Sequence, residues 1–462
     1  MTHAILPNPR RVAAALAASL AMTLPLAAAA AVSEPEAQRL KSELTPMGAQ
    51  RAGNPDGSIP PWTDGMTQPA AGFKNGGRRP DPFTDKPIYT VTAANAAAHD
   101  ARLAEGVKLL LQRHPESFRV EVYKTQRSAA APGWVYDNTL RNATHASLSE
   151  GPAGPVPKDA RGGIPFPIPQ SGAEAMWNHL LRWRGVSAQY NTSGVMGTAD
   201  GKTVQTIEGQ ALVQMPYYDM NASAAVQAGG EYWLFRMVNV GPPIRAGEAV
   251  VGRLNLDASK DQSWVYLTGQ RRTRKLPNAC CDTPNPATAG LLTFDDLEGF
   301  TGRLDQFDWK LAGKKELLVP YNSNRTLLPT RNAEVMQPHH LNPAHVRWEL
   351  HRVWVVDAML KAGKRHPVAR SRYYLDEDTW TVLWGDRWDA NGQLWKSTWQ
   401  LPAAMPDLPG QVVIGFGMYD FVSRSYFANL NRAEGSELQY KFVPRIADSA
   451  FTPEALAGEG LR

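Results

Sequence analysis

Four histidines crowd a short stretch of the chain, His339, His340, His345 and His351, with Glu349 between the last two. The combination invites two chemistries, metal ligation and general acid–base work. From Val346 onward the residues alternate as an extended strand, in which positions four apart are separated by about 13 Å. His345 and Glu349 therefore do not chelate one ion as they would on a helix, although His339 and His340 can contribute from the preceding loop. Glu349 and His351, two apart, share a face and are close enough for a hydrogen-bonded pair. Asp376, Glu377 and Asp378 are adjacent carboxylates at a chain reversal. At a hairpin tip such groups are exposed and diverge, which argues for a turn and against the paired carboxylates of a glycosidase. There is no G-x-S-x-G elbow, no H-E-x-x-H, no phosphate-binding loop and no dinucleotide fingerprint. The expectation is a protein that is not an enzyme and that needs neither metal nor cofactor.

Two further groups of residues carry chemical potential. Arg271, Arg272, Arg274 and Lys275 form the densest basic run, suited to phosphate-bearing head groups or to the anionic surface of a partner, with simple solvation as the alternative. Cys280 and Cys281 are the only 2 cysteines. Being neighbours, they can close only a strained vicinal ring, so no disulfide framework holds the fold; a reactive pair, an intermolecular bond or two buried thiols are the other readings.

These groups are set on a meander spanning Val346 to Asp389. Its first arm places Val346, Trp348, Leu350, Trp354 and Val356 on one face, and Arg347, Glu349, His351 and Asp357 largely on the other. Lys361 to Lys364 make the first turn and Asp376 to Asp378 the second. On the third arm Trp380, Val382, Trp384 and Trp388 share a face, so Trp348, Trp354, Trp380 and Trp384 are expected to line one wall, either as sheet core or as the lining of an apolar cavity.

Along the chain, Arg10 and Arg11 precede an apolar run from Val12 to Leu26 and the small residues Ala27 to Ala31, the pattern of a secretory signal cleaved near Ala29 or Ala31. Removing residues 1–31 takes away two arginines and no acid, so the formal charge falls from +5 to +3. No later run of about twenty apolar residues follows, and the mature chain is expected in the periplasm without a transmembrane segment. Export and the lack of a recognisable nucleic-acid module argue against nucleic-acid binding. Residues 32–92 read as an irregular N-terminal arm, rich in Pro, Gly, Asn and Asp. Residues 93–462 read as one domain, opening with helical spacing at Leu103, Val107, Leu110 and Leu111 and a strand at 118–123. Ser171 and Glu174 have capping-box spacing for a helix carrying Trp177 and Trp183 and closed by Gly185. Strand patterns at short spacing then dominate, implying antiparallel hairpins.

Gly48–Trp62 (GAQRAGNPDGSIPPW), Ile164–Gly185 (IPFPIPQSGAEAMWNHLLRWRG), Phe307–Asn322 (FDWKLAGKKELLVPYN) and Glu349–His366 (ELHRVWVVDAMLKAGKRH) resemble, in order, the signature segments of a proteobacterial periplasmic family of unknown function, number thirteen twenty-nine. That family is similar to the outer-membrane lipoprotein-sorting carriers. The resemblance implies an α+β, mainly β fold: a large curved antiparallel half-barrel with helices in or over its concave face and an apolar cavity. It also implies association with a resistance-nodulation-division transporter and an outer-membrane partner. Where family members often carry an apolar or aromatic pair before an Asp-Thr-Pro motif, this chain has Cys280 and Cys281.

The function expected is that of a periplasmic carrier or chaperone for a lipid, acyl chain or lipoprotein, with Trp177, Trp183, Trp348, Trp354, Trp380 and Trp384 around the ligand. The alternatives are a non-catalytic envelope adaptor and an envelope lipid or glycan hydrolase, the last requiring a cleft that gathers His340, Glu349 and His351.

Overall fold

In the computed structural model the described residues are 1, 31–221, 229–276, 282–436 and 438–459. Cys280, Cys281 and all but the ends of the expected signal segment lie outside them. In chain order the first strands are β1 (Tyr89–Val91), β2 (Val120–Tyr123) and the separate hairpin β3 (Ser147–Gly151) and β4 (Gly154–Lys158). A meander follows: β5 (Ser187–Gly197), β6 (Thr203–Gln214), β7 (Glu231–Gly241), β8 (Ala249–Asn255), β9 (Gln262–Leu267) and β10 (Arg272–Lys275). The last set is β11 (Phe307–Pro320), β12 (Trp348–Leu360), β13 (Arg370–Asp376), β14 (Val382–Trp388), β15 (Leu394–Met405), β16 (Gly410–Asp420), β17 (Ser425–Leu430) and β18 (Tyr440–Phe442). All but β3 and β4 join one open sheet of 16 strands, running from β1 through β2 and β12–β17 to β5–β10, with β11 on β12 and β18 on β5. The fold is thus mainly β, as expected, and the expected meander is β12–β14. One ladder is parallel, Trp348 and Glu349 of β12 beside Val122 and Tyr123 of β2.

Both sides of the sheet are buried. One core gathers Trp348, Leu350, Val353, Val355, Trp384 and Trp399; the other gathers Val356, Trp380 and Val382, with Trp354 packed against them. The single tryptophan wall read from the sequence is therefore divided. The cause on β14 is a bulge: Trp384 faces Tyr374 and Val382 faces Leu375, leaving Leu383 without a partner and turning Trp384 to the opposite side from Val382. On β12 the change falls at His351 and Arg352, where the strand exchanges β2 for β13 as its neighbour.

The helices α1 (Glu34–Ala37), α2 (Glu105–Arg113), α3 (Gly133–His145), α4 (Gly172–Leu180), α5 (Asn332–Val335) and α6 (Pro453–Glu459) complete the fold. The N-terminus of α2 is built on Asp386 of β14. This fully buried carboxylate accepts from the Glu105 and Gly106 amides (3.0 and 3.1 Å), the Trp384 indole (2.8 Å) and the Ser397 hydroxyl (2.6 Å). Anions belong at helix N-termini, where amides lack intrahelical partners. Val107, Leu110 and Leu111 then enter the first core. Ser171 caps α4 by accepting from the Glu174 amide (3.2 Å), and Ala175, Met176, Trp177 and Leu180 enter the second core. α4 ends at Leu180, short of the expected Gly185, because Arg182 turns back onto the His179 carbonyl (2.7 Å) and, with Arg184, pairs with Glu298. Trp183 consequently lies beyond the helix, donating to the Pro409 carbonyl (2.8 Å).

Asp386→Ala leaves three buried donors and the part-buried Glu105 amide without their acceptor, and is expected to lower unfolding free energy by about 2–4 kcal/mol. A Cβ at Gly106 falls 1.9 Å from the Ser397 Oγ and 2.7 Å from Asp386 Oδ1, so Gly106→Ala is expected to cost about 1–3 kcal/mol by overpacking. Urea unfolding midpoints of the two variants measure both effects.

Candidate functional site

The first core contains an aromatic pocket. Trp348 from β12, Trp384 from β14, Trp399 and Leu401 from β15 and Tyr419 from β16 form its wall, with Phe118 and Arg119 at the entry to β2. The rings meet in tilted pairs, Trp348–Trp384 at 5.9 Å, Trp384–Tyr419 at 6.2 Å and Trp399–Tyr419 at 6.1 Å. Asp386 fixes the Trp384 indole. The Trp348 and Trp399 indole N–H groups, on residues 3% and 1% exposed, have no hydrogen-bond partner among the described residues. A buried donor without an acceptor costs about 1–3 kcal/mol. The cavity holds about 20 Å³, room for roughly one water. As it stands, the pocket suits a small acceptor group, and a longer apolar chain enters only if the wall moves.

Behind Phe118, outside the pocket's own lining, lies a cluster of imidazoles. Phe118 packs edge-on to His340 (5.2 Å), and His114, which follows α2, stacks on His339 (5.1 Å) and tilts against His340 (5.6 Å). His340 is committed to Ser117 Oγ (2.9 Å) and to the Leu341 carbonyl (2.7 Å). Burial, then the neighbouring His340, His339 and Arg113, lowers His114 to about 4. Burial is also the leading cause that lowers His340.

A second constellation surrounds the β13–β14 reversal. Asp376, Glu377 and Asp378 are 0%, 2% and 4% exposed, not the solvated tip expected of a hairpin. The N-terminal arm covers them, and each meets a designated partner. Arg127 grips Asp378 with a fork (2.6 and 2.9 Å) while donating to the Gln50 and Arg51 carbonyls. Arg352 and Lys314 hold Glu377 (2.5 and 2.8 Å), and Arg352 also donates to the Gln50 and Ala52 carbonyls. Asp376 Oδ2 accepts from the Tyr321 hydroxyl, the Thr379 amide and the Thr379 hydroxyl (2.9, 3.0 and 2.7 Å), while its Oδ1 accepts from nothing. Burial, then the charge on Asp378, raises Asp376 to about 6. The expected Glu349–His351 pair is present: Nε2 lies 3.0 Å from Oε2, and the imidazole stacks on Tyr321 at 3.7 Å.

The structure brings together some of the residues singled out by sequence and separates others. Trp348 and Trp384 line the pocket. Trp354 stacks on Trp380 at 5.9 Å in the second core, beside Trp177 and Trp183. The Trp177 and Trp380 indoles are satisfied by the Pro155 and Met47 carbonyls, each at 2.8 Å. Glu349 and His351 sit in the ion-pair cluster, whereas His340 is engaged beside α2, so the three do not form the cleft that the hydrolase reading requires. Arg271, Arg272, Arg274 and Lys275 are exposed at the β10 end of the sheet. Sequence reasoning missed Trp399, Tyr419, Arg127 and Asp386. Trp399 alternates correctly within β15 and carried a signal; Arg127, far from its partners in sequence, carried none.

The family model described as a protein of unknown function, DUF1329, matches residues 90–457. An uncharacterized protein of Pseudomonas aeruginosa is 35% identical over 440 residues, covering 94% of this chain and 95% of its own. Among solved structures, a DUF1329 family protein from Desulfovibrio piger is 13% identical with a TM-score of 0.40, over 59% of this chain and 92% of that one. A LolA superfamily protein from Nitrosomonas europaea is 10% identical with a TM-score of 0.37, over 62% of this chain and 100% of that one.

The imidazoles behind Phe118 give a stability expectation. The folded state binds fewer protons than the unfolded chain between the ordinary histidine value of 6.5 and the value of about 4 for His114. Stability therefore falls as pH drops through that window and levels off below it. After discounting for the partial exposure of His114, the loss is about 1 kcal/mol. His114→Gln removes that share, read as a smaller difference between urea midpoints at pH 7 and pH 4 than the wild type shows.

Proposed function

The chain belongs to the DUF1329 family, and on that footing we propose that it is a non-catalytic carrier of the cell envelope that holds an amphiphilic molecule in the Trp348–Trp399 pocket. The observation that carries this reading is the pair of buried indole donors without acceptors among the described residues, set in a largely aromatic wall with Arg119 beside it. A ligand with a carbonyl, carboxylate or phosphate oxygen on an apolar body satisfies both features, as a lipid or acyl chain does. The pocket as described is the closed form. Loading displaces Phe118 and the histidine cluster packed behind it, and each methylene then buried contributes about 0.8 kcal/mol. No bond needs to break. The carrier acts in the periplasm, and the family resemblance adds relay to a resistance-nodulation-division transporter as its delivery step. Among the described residues no helix is long and apolar enough to cross a membrane.

One observation favours a second reading, an adaptor that engages a partner by its sheet edge. β10 ends the sheet path, and its Arg272, Arg274 and Lys275 are exposed. A strand-adding partner with acidic side chains would fit that edge.

Mass spectrometry of an organic extract from gently purified mature protein, beside an unrelated periplasmic control, separates the two. Carriage predicts a stoichiometric amphiphile. Trp348→Phe with Trp399→Phe keeps the aromatic bodies and removes both donors, and is expected to weaken binding of a fluorescent fatty acid about tenfold or more. A protein that is empty and takes up no amphiphile from vesicles would sink the carrier reading and leave the adaptor.

A further inference from the structure

We propose that His351, Asp376 and Asp378 bind one divalent first-row transition ion, of the Zn²⁺ or Mn²⁺ class, that fastens β12 to the β13–β14 reversal. One ligand atom from each of the three side chains lies within 4.8 Å of the other two, and all three residues are buried. Two independent features of the surroundings point to a cation there.

The first is the free oxygen. Asp376 Oδ2 is occupied by three donors, whereas Oδ1, on a residue fully removed from solvent, has none among the described residues. Among the neighbouring acids, Asp378 has Arg127, Glu377 has Arg352 and Lys314, and Glu349 has Arg347. Among the described residues no lysine or arginine pairs with Asp376, and the basic group that acts on it is His351 itself. An uncompensated buried carboxylate is strongly disfavoured, and a metal ion supplies both the missing charge and the missing contact.

The second is the support of the imidazole. Glu349 is held in place by Arg347 Nε (2.5 Å), Asn322 Nδ2 (3.0 Å) and the Gln126 amide (2.8 Å), and it takes His351 Nε2 at 3.0 Å. A carboxylate that receives one ring N–H fixes the tautomer and leaves the other nitrogen, Nδ1, as the ligating atom. Stacking on Tyr321 fixes the ring plane. The Arg127 fork uses one lone pair on each Asp378 oxygen, and a second remains on each for a metal. One imidazole and two carboxylates suit Zn²⁺ or Mn²⁺ better than Ca²⁺ or Mg²⁺, which prefer oxygen alone.

The test uses the whole mature chain, stripped with a chelator and then offered Zn²⁺ alone, with metal content measured after gel filtration. The wild type is expected to retain one equivalent per chain. Asp376→Asn keeps the shape and removes the free anionic oxygen, and is expected to weaken Zn²⁺ binding about 100-fold. His339→Asn, in the separate histidine stack, should retain the ion. If Asp376→Asn does not fold, X-ray absorption of the Co²⁺-loaded wild type decides, with one imidazole nitrogen and carboxylate oxygens expected in the shell. Failure of the wild type to retain Zn²⁺, retention that depends on His339 instead of Asp376, or a shell of several imidazoles would each overturn the assignment.

Discussion

Buried charge must find opposite charge, and in this molecule that requirement ties distant parts of the chain together. Arg127 and Arg352 stand between the acidic β13–β14 reversal and the carbonyls of residues 50–52, so the same two guanidinium groups pair with Asp378 and Glu377 and seat the arm. Isolated pairs of this kind add little net stability, because desolvation offsets the attraction. Breaking one side of such a pair is costly, since it strands a charge in a poor solvent. The network therefore acts chiefly to specify where the arm lies, and apolar packing of Ile59 in the first core supplies the attraction that holds it there.

A sheet buried on both sides needs strands that change allegiance. Alternation alone would send every second residue of β14 to one core, and the bulge at Leu383 lets Val382 serve one side while Trp384 serves the other. This places Trp384 against Trp348 and beneath α2, where Asp386 ties both the helix and the indole to the strand. The pocket is thus a product of a local irregularity in the ladder more than of regular pleating. Of its indoles Trp384 is held from behind by Asp386, while Phe118 on another side is backed by the histidine cluster.

Much of the architecture was legible in the residues. Period-two patterning gave the β12–β14 meander, the Lys361–Lys364 turn and the Glu349–His351 pair, because each depends on neighbours close in sequence. Helix spacing located α2, and Ser171 with Glu174 located the start of α4. The end of α4 was hidden, since the Arg182 and Arg184 contacts that replace its last turn reach Glu298, more than a hundred residues away. The bulge was hidden too, because no residue type marks it. The burial of Asp376 to Asp378 could not be inferred from their own stretch, as the residues covering them come from the opposite end of the chain.

The docking of the arm has a consequence for the order in which the molecule can assemble. The Gln50 amide meets Glu377 across a separation of 327 residues, and the Trp380 indole meets Met47 across 333. Contacts of such long range form late, because the intervening chain must first be gathered by its local hairpins. The arm is made before the strands it docks on and is expected to complete its contacts after them. A chain interrupted before the β13–β14 reversal would make the early hairpins and still leave its own beginning unfastened, which makes the arm a built-in sign that the rest of the molecule is complete.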